Sequence, residues 1–163
     1  MTKKLLTVEQ VLTILPETPL RIATLTAGLG NDQLRATPSP GEWSVTEVLA
    51  HLRSCADVWG GCIVTILAED RPTLRAVNPR TWIKDTDYLE LEFEPSLKAF
   101  TRQRADLLAG LEALGPEGWS RLAIVIGAGR PLKRTVQFYA QWLARHERSH
   151  YRQIQSAVNA VRN

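Results

Sequence analysis

Residues 146–150 read His-Glu-Arg-Ser-His. On a helix, positions i and i+4 share a face, with Cβ atoms roughly 6 Å apart. Two imidazoles so placed can converge on one divalent ion at about 2.0–2.1 Å. An ion held by neutral imidazoles keeps its full charge and can bring the pKa of a bound water to about 7. It can equally bind a thiol as thiolate. The first property suits hydrolysis and the second thiol transfer, and His146 and His150 do not distinguish them.

The spelling H-E-x-x-H also matches the zinc-protease pattern, so the question is where a third ligand comes from. A zincin supplies it downstream of the motif. Here the remainder is YRQIQSAVNAVRN, with no Glu, Asp, His or Cys, and that reading fails. The ligand must come from upstream, and the one other histidine is His51. Three histidines from two facing helices make a facial site with open positions, which is catalytic rather than structural geometry. Cys55 lies one turn after His51 and could approach the ion, although a buried reduced thiol needs no function. Glu147 flanks the face that carries the pair. It could orient a ligand imidazole or a water on the ion, or it could be an exposed acid pairing with nearby arginines.

These residues depend on two helices. His51 ends the segment EWSVTEVLAH, in which Ser44 and Glu47 form a capping box. Apolar residues at 45, 48, 49, 52, 56, 59, 63, 66 and 67 keep helical spacing, which predicts a helix over 44–70 with His51 near the inner face marked by Val48, Leu52 and Cys55. The last helix is expected over 135–161. It buries Val136, Tyr139, Leu143, Ile154, Ala157 and Val161, and His146 and His150 continue that seam opposite Arg148. Imidazoles in a core seam are costly unless their nitrogens are satisfied, which favours a ligand pair. Two further helices are expected over 7–29, opened by a Thr7–Gln10 capping box and broken around Pro16, and over 95–114, stopped by Gly115-Pro116. Residues 71–94 read as a long irregular connection, and 121–134 as a small hairpin or an extended loop. The economical fold is all-α: a four-helix bundle forming a single domain over 1–163.

Composition narrows the class. The chain has 163 residues, 44% of them apolar, enough for one core. No apolar run approaches the roughly 18–20 residues of a membrane span, and MTKKLLTVEQVL lacks a signal-peptide core, so a cytoplasmic protein is expected. Cys55 and Cys62 fall two helical turns apart, roughly 10 Å, beyond the reach of a disulfide. The net charge of +3 is uneven: seven Lys/Arg and one acid follow from Arg130 onward. Arg145, Arg148 and Arg152 share a helix face with Gln141, Gln155 and Asn159, which reads as a solvated outer face. No aromatic RNA-binding signature or Cys/His finger spacing accompanies it, so nucleic acid is not an expected partner.

PSPGEWSVTEVLAHL and HERSHYRQI, taken together, resemble the DinB-like (DinB/YfiT) family of metalloenzymes. The first segment carries its histidine late, and the second is similar to that family's H-x3-H-x2-Q signature. The helix order and the long connection after the second main helix also fit, so the resemblance covers nearly the whole chain. It implies a bundle with a long crossover between the second and third main helices, a three-histidine divalent metal site and a homodimer. By position, the ligands carried over are His51, His146 and His150, and Gln153 matches the motif glutamine. Gln153 and Glu147 are thus the candidate catalytic residues. The resemblance further implies chemistry that uses a low-molecular-weight thiol.

The expected function is a metal-dependent enzyme acting on a small molecule, by thiol-dependent transfer or by hydrolysis. Three histidines with open positions suit zinc, nickel or iron. Substrate contacts are expected from 71–94 and from Trp43, Trp82 or Trp119. The alternative is a non-enzymatic, stress-associated bundle that binds metal.

Overall fold

Two reciprocal caps start the helices that matter most. Thr7 Oγ1 accepts from the Gln10 amide at 3.1 Å while Gln10 Oε1 accepts from the Thr7 amide at 2.9 Å. Ser44 and Glu47 do the same, each bond 3.1 Å. In this computed structural model, which describes residues 4–162, the elements run α1 (Val8–Thr26), α2 (Asn31–Arg35), α3 (Val45–Ala68), β1 (Thr73–Arg75), α4 (Pro79–Trp82), a 3-10 turn (Ile83–Asp85), α5 (Phe93–Glu112), α6 (Pro116–Trp119), β2 (Leu122–Ile126), β3 (Leu132–Thr135) and α7 (Val136–Arg162). The long helices α1, α3, α5 and α7 form the bundle. Each of α1 and α3 packs against both α5 and α7, so the order around the bundle is α1, α7, α3, α5. No helix among the described residues is long and apolar enough to cross a membrane.

The expected break at Pro16 is absent: α1 runs unbroken through Pro16 and Pro19. A proline cannot donate to the carbonyl four residues back, so Pro19 leaves the Leu15 carbonyl without its helical donor. Arg104 of α5 fills that place, its Nη1 donating to Leu15 O at 2.9 Å. The same guanidinium makes a bidentate ion pair with Glu147 of α7. Arg104 and Glu147 are only 3% and 1% exposed. One buried guanidinium therefore ties three helices together and satisfies the bond that proline removed.

The segments between the main helices hold more order than expected. Residues 121–134 form an antiparallel hairpin, β2 with β3, which was one of the two readings. β1 pairs parallel with β2, Thr73 opposite Ile124, and corrects the reading of 71–94 as irregular. A three-residue strand has little local signal, because its hydrogen-bond partners lie about fifty residues further on. In α4, Asn78 caps the helix and Pro79 takes the first position. Ser54 Oγ donates to Pro79 O at 2.6 Å. Asp57 accepts from Trp82 Nε1 at 3.2 Å, from Gln103 Nε2 at 2.7 Å and from the Tyr88 hydroxyl. The crossover is thus fastened to α3.

The core falls into two apolar clusters. One joins Leu15, Cys55, Ile63, Leu111 and Leu143; the other joins Ile22, Leu49, Leu52, Phe100 and Ile154. Along α7 the first ends at Ala144 and the second takes in Tyr151 and Ile154. The interval between them carries His146, Glu147 and His150. Trp119 belongs to the first cluster and is 4% exposed, so it packs the core and offers no substrate contact. Gln141 is also buried, which corrects its place on the solvated face. It accepts from Arg145 Nε at 3.0 Å, while Arg148 and Arg152 are exposed. Both cysteines are reduced.

The Arg104–Glu147 pair has an expected signature. Replacing Arg104 by Met leaves a buried carboxylate without its partner, and unfolding stability should drop by about 3–5 kcal/mol. The double variant Arg104→Met with Glu147→Leu removes both charges and should recover most of that loss. Urea denaturation of the two variants checks the pair.

Candidate metal centre

α3 and α7 bring the three histidines together in the polar interval between the two clusters. His146 and His150 lie one turn apart on α7, with ring centroids 4.3 Å apart. His51 comes from α3, its ring 5.0 Å from His146 and 4.7 Å from His150. Nε2 of His146 stands between those of the other two rings. Nε2 of His146 is 3.2 Å from Nε2 of His51 and 3.1 Å from Nε2 of His150. Two imidazole nitrogens on one tetrahedral ion at 2.0–2.1 Å stand about 3.3 Å apart. The donor set and these separations fit a divalent ion of the zinc kind.

The thiol of Cys55 is part of the same cluster. Its Sγ lies 3.5 Å from Nε2 of His51 and 3.9 Å from Nε2 of His146, and the ligand atoms of His51, Cys55 and His146 all fall within 4.8 Å of one another. The i,i+4 spacing puts Cys55 on the face of α3 that carries His51, so its thiol lies beside the imidazoles.

Electrostatics hold the cluster uncharged. Burial, followed by the His150 charge and Arg80, lowers His51 to about 4. Burial, followed by His150, His51 and Arg80, lowers His146 to about 3. Burial also lowers His150, with the Gln153 hydrogen bond acting in the opposite direction. Cys55 is pushed up to about 12, first by burial and then by the Glu147 carboxylate. Near neutral pH these are three neutral imidazoles and a protonated thiol.

Gln153 lies one turn after His150, and its Oε1 is 2.7 Å from His150 Nδ1. An amide oxygen only accepts, so His150 carries its proton on Nδ1 and presents the Nε2 lone pair to the cluster. His146 has no such guide: its Nδ1 is buried without a hydrogen-bond partner. Trp59 meets the His146 ring edge-on at 5.0 Å. Trp43 stacks on His150 at 6.3 Å and 14°, and lies 5.1 Å from the His51 ring. The indoles form walls, and a cleft of about 550 Å³ opens beside His150, Gln153 and Trp43. Of the three tryptophans expected to contact substrate, Trp43 is in this cleft. Trp82 is partly exposed and hydrogen-bonded to Asp57.

Glu147 is neither an exposed acid nor a partner of its neighbouring arginines. Both carboxylate oxygens are engaged by Arg104. Arg104 was missed in the sequence, although it falls at helical spacing within Phe100, Leu107, Leu108 and Leu111; a charged residue on an apolar stripe was the available signal. Arg80, which lines the cleft, had no comparable signal in a stretch read as irregular.

Comparison with known proteins agrees with this architecture. A family model described as the DinB superfamily matches residues 15–154. A curated protein of Geobacillus thermodenitrificans (strain NG80-2), named "Putative metal-dependent hydrolase", is 27% identical over 157 residues, covering 91% of this chain and 83% of its own. A protein of Geobacillus kaustophilus (strain HTA426) with a similar name is 29% identical over 136 residues, covering 78% of this chain and 72% of its own. The solved structure of YfiT from Bacillus subtilis, described as having an unusual four-helix bundle topology, superposes with a TM-score of 0.78 at 17% identity, covering 98% of this chain and 91% of that one. By its match to the family model over most of its length, the chain belongs to the DinB superfamily.

Proposed function

We propose that this protein is a metal-dependent hydrolase of a small molecule, with one divalent ion held by His51, His146 and His150. The observation that carries the reading is the convergence of three neutral imidazoles, Nε2 inward, beside an open cleft. The names of both Geobacillus relatives support hydrolysis. A bound ion supplies Lewis acidity, bringing the pKa of a coordinated water or thiol towards neutrality.

The chain's own residues divide the remaining work. The lowered histidines hold their lone pairs available at neutral pH, so protons do not compete with the ion. Gln153 is a positioning residue: it fixes the tautomer and orientation of His150. Glu147 is a positioning residue too, since Arg104 occupies both its oxygens and its negative charge adds to the burial that keeps Cys55 protonated in the metal-free protein. With three imidazoles as its protein ligands, an ion would keep a position open for substrate. Trp43 and Trp59 shield the imidazoles from bulk water.

Thiol transfer is the second reading, since an ion with an open position takes a thiolate as readily as a water and the resemblance implies a low-molecular-weight thiol. Hydrolysis that proceeds without added thiol supports the first reading; activity that appears only with one supports the second. The homodimer belongs to the same proposal, and sedimentation giving only an 18.2 kDa species at micromolar concentration would remove it.

Substitution tests the ligand set. His51→Ala should lose the bound ion, with metal content falling to a small fraction of one per chain, while circular dichroism stays helical because both apolar clusters are independent of the ion. Full retention of stoichiometry and affinity would refute the three-histidine site.

The metal-free protein has an expected pH dependence. His51 and His146 titrate near 4 and 3 when folded, against about 6.5 when unfolded. As pH falls below about 6.5 the unfolded chain binds protons that the folded chain refuses, so stability declines with acid. The Tm of the metal-free protein should fall by a few degrees between about pH 7 and 5. The double variant His51→Gln with His146→Gln should show a shallower fall.

A further inference from the structure

We propose that Arg80 is a specificity-determining residue, whose guanidinium at the mouth of the histidine cleft binds the oxyanion, carboxylate or phosphate, of a small-molecule substrate. The inference deepens the hydrolase reading and rests on it for the identity of the reaction. It assigns the substrate class: an anionic small molecule, gripped by Arg80 at one end with its reacting group beside the histidines.

Arg80 lies on α4, in the crossover, and shares the cleft of about 550 Å³ with Trp43, His150 and Gln153. Its Cζ stands 5.3 Å from the centroid of the Trp43 ring, within cation–π range. Trp43 in turn stacks on His150. Arg80, Trp43 and His150 therefore form a short series leading from the mouth of the cleft to the three imidazoles.

The backbone beneath Arg80 is fastened on both sides. Asn78 Oδ1 accepts from the Arg80 amide at 2.9 Å. The preceding residue, Pro79, is buried, and its carbonyl accepts from Ser54 Oγ at 2.6 Å. Ser54 lies three residues after His51 on α3, so the anchor of Arg80 and one of the three imidazoles share a rigid helix. Asp57, one turn further along, fixes Trp82 and Tyr88 on the other side. The backbone that carries the guanidinium is thus held in place before a ligand arrives.

The guanidinium itself remains uncommitted. Among the described residues it makes no ion pair and donates none of the side-chain hydrogen bonds that occupy Arg53, Arg104, Arg121 and Arg162. Glu42 lines the same cleft without pairing with it. A planar fork with five donors and no acceptor matches carboxylate and phosphate bidentately. Its positive charge is felt by all three histidines and by Cys55, so an anion bound to it would lie within electrostatic reach of the cluster.

The test uses the full-length, metal-free protein with acetate and inorganic phosphate as separate probes. The Nε–H resonance of Arg80, identified by its absence in Arg80→Gln, and the Trp43 indole N–H should shift saturably with at least one of them. Arg80→Gln should weaken that binding at least tenfold, the loss of about one bidentate charge-assisted contact. Arg80 is exposed, so this variant should keep its helical circular dichroism and its full zinc stoichiometry. A preference for acetate identifies a carboxylate substrate, and a preference for phosphate a phosphorylated one. Absence of any saturable shift, or equal binding by Arg80→Gln, overturns the proposal. Because zinc uptake is read separately, loss of the ion site and loss of the oxyanion site are distinguishable failures.

Discussion

Glu147 stands between His146 and His150 on one helix, and its carboxylate is buried against Arg104. A helix advances about 100° per residue, so fixing Glu147 towards α5 and α1 leaves the two imidazoles no choice but to turn towards α3. The ion pair is thus a rotational lock on α7. It also reaches into α1, where the guanidinium takes the carbonyl that Pro19 left without a donor. A charge buried to this degree is unfavourable without its partner, so α7, α5 and α1 can reach low energy together in one arrangement. That arrangement is the one in which His146 and His150 meet His51.

The rest of the polar interval follows from this lock. Two apolar clusters close over it from either end and lower the proton affinity of the histidines by burial. The same burial, reinforced by the Glu147 charge, keeps Cys55 a thiol although it lies 3.5 Å from His51. The outcome is a cluster of uncharged donors, with Gln153 setting one tautomer and two indoles closing the sides. Neutral donors of this kind leave an ion its charge, and with it the capacity to act as a Lewis acid.

Much of this was legible in the sequence because it is local. Ser44 and Glu47 announce α3 by a reciprocal cap three residues wide, and the i,i+4 pair on an apolar stripe announces a shared inward face. The bundle and the convergence of three histidines needed little more. What escaped was non-local. β1 is three residues long and is a strand because β2 pairs with it. Pro16 and Pro19 break helices unless tertiary contacts compensate, and the Leu15 carbonyl that Pro19 leaves free takes its donor from Arg104, 89 positions from Leu15. Arg104 looks like surface charge until its two acceptors are known, and Glu147 cannot be told from an exposed acid without Arg104. Arg80 depends on Ser54 and Asn78 for its placement, and neither relation has a periodicity.

The central claim is that imidazoles alone hold the ion while Cys55 remains a thiol. X-ray absorption at the zinc edge of the metal-loaded protein tests it most directly. The account predicts a shell of nitrogen and oxygen at about 2.0–2.1 Å with multiple scattering from three imidazoles and no sulfur. A sulfur scatterer at about 2.3 Å, with fewer than three imidazoles, would contradict it and place Cys55 in the coordination shell.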